Sequence, residues 1–462
     1  MKQTELKKLA LLLISMVAFT ACKNDDDSTP QSPESERTLV GFLYTTTNGE
    51  QTNQVLRLDR YSDGSVGNEI AYPTGSDGGA DTSAGGDANG DFDSQGAVQI
   101  IGDYLLNVNA GGNTISVFSL DRPTGDLTFQ NNVTSGGTRP VSIAFTPKDG
   151  ATDEYWVVVG NQWNNPNVQN DGPNLQRFPN DAFHNEDLTQ SDATDAERNI
   201  TLFSFNTSTG ALTLERQLDS YVRENGGPTT VAFSDDGSKL AVSTWGIAHF
   251  ATENPSLDEQ RASRVYVYDF ANGIISGERF FEEEGIAGTI GFNWARGSSS
   301  ILQVSNFNLI SSKLDNSLTI LFDDGTTVTK NQNFNTVEEG DINEACWSAL
   351  NPDGTVLYIS SFGANAITAF NVDAAGNVSS EIGFEVRGGF APPGDTKDIY
   401  ISSDDAYLYN IGAFQSFSIN TFSISDSGAL SYEEQFTYET TSASVGSAGT
   451  FNFLGLSGYD LE

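Results

Sequence analysis

One pattern recurs along this chain and restricts its fold more than any other feature. Gln95-Gly-Ala-Val-Gln-Ile, Tyr104-Leu-Leu-Asn-Val-Asn, Thr114-Ile-Ser-Val-Phe-Ser-Leu and Thr124-Gly-Asp-Leu follow one another. The same order returns in Pro140-Val-Ser-Ile-Ala-Phe, Tyr155-Trp-Val-Val-Val-Gly-Asn, Ile200-Thr-Leu-Phe-Ser-Phe and Thr209-Gly-Ala-Leu. Further copies start at Pro228, Cys346 and Asp398, and a degenerate one covers 290–328. Each unit reads strand, tight turn, strand, loop, strand, Gly turn, strand. The strands are short and rich in Val, Ile, Phe and Tyr, as half-buried or fully buried β-structure requires.

Four strands per repeat of roughly 45–60 residues describe a propeller blade. Residues 39–67 hold only the later strands of a unit. Ser447-Ala-Gly-Thr-Phe-Asn-Phe-Leu, near the C-terminus, has the inner-strand pattern with nothing after it. The expectation is an all-β, seven-bladed β-propeller over 38–456, closed by the C-terminal strand pairing into the N-terminal blade, with a short tail at 457–462. Closure leaves no open sheet edge. A linear solenoid would not need a half-repeat at each end.

The segment before the repeats has another purpose. Lys2, Lys7 and Lys8 precede an apolar run from Leu9 to Phe19, the length of a signal core and short for a membrane span. Thr20-Ala21-Cys22 resembles a lipobox, with Phe19 where such boxes usually carry Leu. That resemblance implies a signal peptide over 1–21 and lipidation at Cys22. Lys23-Asn-Asp-Asp-Asp resembles an acidic surface-export signal, which implies an outer-membrane, cell-surface anchor. A periplasmic one is the alternative. Residues 22–37 lack the apolar content to pack and read as a disordered acidic tether.

Charge limits the partners. The chain carries 23 Lys and Arg against 62 Asp and Glu, for a net charge of −39. Such a surface repels nucleic acid and anionic lipid, so membrane contact is expected only through the anchor. With Cys22 acylated, Cys346 has no disulfide partner, and its apolar strand reads as a buried, structural setting. A monomer stabilised by its core is expected.

The longest gaps in the repeat, 161–199 and 246–263, fall between the second and third strands of adjacent units, as does 306–316. All three therefore belong to one face, the top, and long loops sharing a face of a rigid scaffold favour function there. A small molecule, glycan or protein is the expected ligand. The two histidines, His184 and His249, lie in these insertions. Trp163, Trp245 and Phe250 stand at their starts, suited to stacking on a sugar or to packing the insertions down. Asp87, Asn89, Asp91 and Asp93 alternate as in the opening of a calcium loop, with Asp77 and Asp81 nearby. No closing glutamate follows. Calcium is thus an optional ligand, and no cofactor is required.

Ser94-Gln-Gly-Ala-Val, Asn107-Val-Asn-Ala-Gly-Gly-Asn-Thr-Ile-Ser-Val-Phe and Ala345-Cys-Trp-Ser-Ala-Leu-Asn-Pro-Asp-Gly resemble the lactonase-like seven-bladed propellers. That family includes 6-phosphogluconolactonases, carboxymuconate-lactonizing enzymes and YVTN-type surface-layer propellers. The resemblance implies an axial cleft carrying His, Arg and Glu, able to bind an acidic lactone and help water attack it. Here Arg139-Pro140 and Thr229-Thr230 stand where relatives carry histidine, and Cys346-Trp347 replaces another. Arg139 as anion binder and Glu344 as general base remain, with His184 or His249 as the available imidazoles. Two readings stay open: a binding module acting through its top face, and a lactone hydrolase.

Overall fold

In the computed structural model, the described residues are 37–49, 52–79, 94–162, 198–221, 227–245, 263–283, 286, 288–307, 317–336, 344–387, 394–413, 415–439 and 451–461. They form seven four-stranded antiparallel sheets arranged as a ring. Numbered in chain order, the blades have inner strands Leu454–Asp460, Val98–Ile101, Pro140–Pro147, Pro228–Phe233, Thr289–Trp294, Ala345–Leu350 and Thr396–Ile401. Blade 1 is composite: Leu454–Asp460 pairs with Leu39–Thr46, placing Leu43 opposite Gly458. Arg60 of the same blade forms an ion pair with Asp460. The closing strand thus lies later than the 447–454 segment. It also takes in residues 457–460, which the sequence pattern left in a tail. A bulge at Gly455 shifts the register of this strand against Leu39–Thr46.

The repeat buries its apolar residues between blades. Val157, Val159, Phe203 and Phe205 of blade 3 pack on Leu106, Val108 and Val117 of blade 2. Leu408 and Phe422 of blade 7 pack on Tyr358 and Ile367 of blade 6. Middle strands touch a neighbour on both faces, so they read as continuous apolar runs. Outer strands are largely exposed, as in Leu127–Thr134. In every blade the outermost pair carries a register shift, an irregularity that makes an edge a poor template for further pairing.

A second set of bulges bears on function. The inner strand slips against its partner near its start in blades 1, 3, 4, 5, 6 and 7. In blade 6 the extra residue is Cys346; in blade 7 it falls between Thr396 and Ile399. A bulge bends the strand and re-aims side chains, here beside the propeller axis.

Candidate functional site on the propeller axis

The gaps at 163–197, 246–262 and 308–316 all join second to third strands, in blades 3, 4 and 5. They belong to the face on which the inner strands begin, here the insertion face. His184, His249, Trp163 and Phe250, the calcium-like Asp87, Asn89, Asp91 and Asp93, and Cys22 lie outside the described residues. Trp245 is buried against Phe307, their ring centroids 5.4 Å apart. Its role is packing.

Arg139 and Glu344 occupy equivalent positions, each the residue before an inner strand, in blades 3 and 6. Both adopt left-handed backbone, with φ of 57° and 49°, a conformation uncommon outside glycine. For Arg139 it is held by the Asn113 side chain, which accepts the Arg139 N–H at 2.7 Å, and by Gln162 N–H on the Arg139 carbonyl at 2.9 Å. Asn365 plays the part of Asn113 at the interface of blades 6 and 7, accepting the N–H of Asp395 at 3.1 Å. This Asn therefore locks blade 2 to the start of blade 3 and blade 6 to the start of blade 7. The Glu344 carboxylate lies over Gly363, where even a methyl group would meet it at 2.6 Å. Arg139 and Glu344 thus share the rim of the insertion face, with blades 4 and 5 between them. Asp395 has the same position in blade 7, but Arg387 and Ser416 engage its carboxylate in the interior.

The bulge in blade 7 brings two charged residues to the axis that the sequence reading passed over. Lys397 and Asp398 are both buried. The Asn410 side chain donates to both of their carbonyls, at 2.8 and 3.2 Å, replacing the ladder bonds lost at the bulge. Lys397 Nζ donates to Asn452 Oδ1 at 2.8 Å and stands 5.6 Å from the Trp347 ring centroid, a cation–π distance. Two consecutive charges inside an otherwise apolar strand pattern were the available signal. Cys346 is fully buried among Trp245, Ile290 and Trp347, as its apolar strand implied.

Among the described residues, one segment links several blades across the axis. Ser94 and Gln95 precede the inner strand of blade 2, yet they bond to four other blades. Gln95 N–H donates to Thr230 Oγ1 at 3.1 Å, and Ser142 Oγ donates to the Gln95 carbonyl at 2.6 Å. The Gln95 amide donates to Phe292 O at 3.3 Å and accepts the Ser348 N–H at 3.1 Å. Trp347 Nε1 donates to Ser94 O at 2.6 Å. Gly291 is required beneath this amide, because a methyl group there would come within 2.5 Å of Gln95 Oε1.

Beyond the crossing, toward the short-turn face, lies a cavity of about 460 Å³. It is bounded by the later halves of the inner strands and by Asp235 and Arg296 from first-to-second-strand turns. Asp398 reaches it from blade 7, its carboxylate accepting the Gly455 N–H at 2.9 Å. Burial pushes the Asp398 carboxyl up to about 7, against the opposing pull of the Gly455 and Gly96 N–H groups and the Lys397 charge. Among the described residues no cluster of His, Cys, Asp and Glu has the makings of a metal site.

A Lactobacillus plantarum protein matches at 15% identity, covering 92% of this chain and 100% of that one, with a TM-score of 0.60. The periplasmic gluconolactonase of Pseudomonas aeruginosa matches at 15% identity, over 90% and 99% of the two chains, with a TM-score of 0.58. A Bacteroides fragilis protein described as a candidate 6-phosphogluconolactonase matches at 14%, over 91% and 98%, with a TM-score of 0.56. The fold is that of the lactonase-like propellers. No protein-family model and no curated sequence matches the chain. At such identities the likeness concerns architecture, and activity has to be argued from the residues.

Proposed function

We propose that this chain is an exported lipoprotein, anchored through Cys22, whose lactonase-like propeller binds a ligand or partner through its insertion face. One observation carries the reading: three long second-to-third-strand connections, on adjacent blades, open at the same end of the axis as Arg139 and Glu344. Buried Lys397, near the start of its inner strand, adds a cation inside the ring. The ligand is a small molecule, glycan or protein, calcium at Asp87, Asn89, Asp91 and Asp93 is optional, and nucleic acid is disfavoured by the net charge of −39. The protein works as a monomer at the outer membrane, facing outward, with the periplasmic side as the alternative. Palmitate labelling that is lost in Cys22→Ser would support the anchor; unchanged labelling would remove it.

The second reading, lactone hydrolysis, is favoured by the fold likeness to a periplasmic gluconolactonase. Glu344 would take a proton from water as the new C–O bond forms at the lactone carbonyl. Arg139 would stabilise the oxyanion, and as the ring C–O bond breaks the leaving oxygen would take the proton back from Glu344, giving a hydroxyl and a carboxylic acid that loses its own proton to solvent. His184 or His249 would supply the imidazole. The test is proton release by the full chain on a panel of sugar and acyl lactones, with calcium and with chelator, beside Glu344→Gln. Turnover that falls at least a hundredfold in Glu344→Gln supports hydrolysis. Equal rates in both proteins leave binding as the function.

A further inference from the structure

Thr38 marks where the chain enters the ring. Its N–H donates to Ser62 Oγ at 3.1 Å, and its carbonyl accepts the Ser62 N–H at 2.8 Å. Ser62 belongs to the third-to-fourth-strand turn of blade 1. The neighbouring closing strand ends at the same level. Asp460 pairs with Gly41 and accepts, at 3.1 Å, the N–H of Ser403 from the first-to-second-strand turn of blade 7. Both turns lie on the short-turn face. The chain therefore enters on the side opposite the long insertions and the rim residues Arg139 and Glu344.

Length turns this entry point into an orientation. Cys22 stands 16 residues before Thr38. As a flexible coil, a linker of that length spans about 20–24 Å on average. Bringing the insertion face to a membrane that holds Cys22 demands more. From Thr38 the linker would first pass outward over the third and fourth strands of blade 1, about 10 Å at the usual strand spacing. It would then run the height of the blade, whose eight-residue strands Gln54–Tyr61 and Val66–Pro73 rise about 26 Å. That route is about half again as long as the mean span, before the insertions themselves are cleared.

Charge governs how the near face meets the bilayer. Asp63, Asp121, Asp324, Asp373 and Asp426 are exposed, one in each third-to-fourth-strand turn of blades 1, 2, 5, 6 and 7. Such a face repels anionic lipid and does not lie on it. The repulsion fades over a Debye length of about 8 Å at physiological salt, well inside the linker's span. The linker, not adhesion, keeps this face near the membrane.

We propose that the anchored propeller stands with its short-turn face toward the membrane and its insertion face directed into the medium. The insertion face then meets water-soluble molecules of the medium before lipids of its own bilayer. This orientation rests on the Cys22 anchor proposed above.

The experiment is energy transfer from the lipidated full chain on phosphatidylcholine vesicles that carry a trace of headgroup-labelled acceptor lipid. A donor dye is placed in turn on Ser427→Cys and Thr437→Cys. These exposed positions flank the outer strand of blade 7 at the short-turn and insertion faces respectively. Cys346 is buried and stays unlabelled. Transfer from Ser427→Cys is at least twofold more efficient than from Thr437→Cys. Inserting about thirty Gly-Ser residues after Glu36, enough to reach round the blade, at least halves the difference. Equal transfer from the two sites, stronger transfer from Thr437→Cys, or a difference that survives the longer linker overturns the orientation and leaves the anchor standing. Failure of the wild-type chain to float with vesicles, as expected only of Cys22→Ser, overturns the anchor and the orientation together.

Discussion

Gln95 Oε1 accepts the backbone N–H of Ser348 at 3.1 Å, joining residues 253 positions apart across the centre of the ring. The same amide donates to Phe292 O. One side chain thus ties blades 5 and 6 to the entry of blade 2, and the flanking backbone ties in blades 3 and 4. Gln95→Ala removes both side-chain bonds and leaves Ser348 N–H and Phe292 O without them. A loss of about 1–3 kcal/mol is expected for such buried groups. Urea unfolding checks it: the midpoint falls while the slope is unchanged.

Asp398 makes stability depend on pH in an unusual direction. Its folded carboxyl is raised to about 7 by burial, above the ordinary value of 3.8. The folded protein therefore holds this proton more tightly than the unfolded chain, and the resulting stability is present below the ordinary value. It is lost as pH climbs toward 7. Asp398→Asn is then close to neutral at pH 4 and stabilises by roughly 1–4 kcal/mol at pH 8. Paired denaturation curves at the two pH values measure the difference, and a variant effect that does not grow with pH counts against the assignment.

Asp323 works in the opposite sense. Burial alone would raise its carboxyl, but the bonds from Arg279 and Lys239, with the Gly325 N–H, hold it below the usual range. Arg279 Nη2 reaches Asp323 Oδ2 at 2.6 Å, and the carboxylate is fully buried between blades 4 and 5. Its contribution is complete above the ordinary carboxylate pKa and is lost as pH falls through the lowered one. Asp323→Asn is expected to cost about 3–5 kcal/mol at neutral pH, because Arg279 keeps a buried charge with a weaker partner. Thermal unfolding at pH 7 reads the loss, which narrows when wild type and variant are compared at pH 3.

Closure of the ring is testable by truncation. Removing residues 454–462 strips the inner strand from blade 1 and uncovers the pairing edge of Leu39–Thr46. Leu454 and Leu456, both buried, are lost with it. Their burial alone corresponds to about 3–6 kcal/mol. The shortened chain is expected to aggregate or unfold at low urea, and a synthetic peptide of residues 450–462 added in trans restores the transition. A truncated chain with wild-type stability would mean the ring does not depend on this strand.

Much of the architecture was legible because blade strands are local. Each buries both faces against neighbours of the same kind, so the apolar runs and Gly turns repeat at a fixed spacing, and Cys346 and Trp347 announce their burial by sitting in such a run. The half-unit at each end likewise announced a composite blade. The register of the closing strand was not legible, since a bulge at Gly455 shifts it against Leu39–Thr46. Arg139 and Glu344 were found through a motif, and the structure adds that both sit in left-handed backbone at the insertion-face rim.

Repeat number, blade composition, insertion face and overall acidity follow from the amino-acid sequence alone, because each depends on periodicity or on counting. What happens on the axis was decided only by the tertiary structure. Gln95, Lys397, Asp398, Trp347 and Gly455 come from distant parts of the chain and carry no common spacing. They meet because seven inner strands converge on one line, and because bulges on those strands turn particular residues toward it. The pKa of Asp398 has the same origin: a carboxyl in an ordinary-looking strand is raised only once the ring closes around it and removes its water.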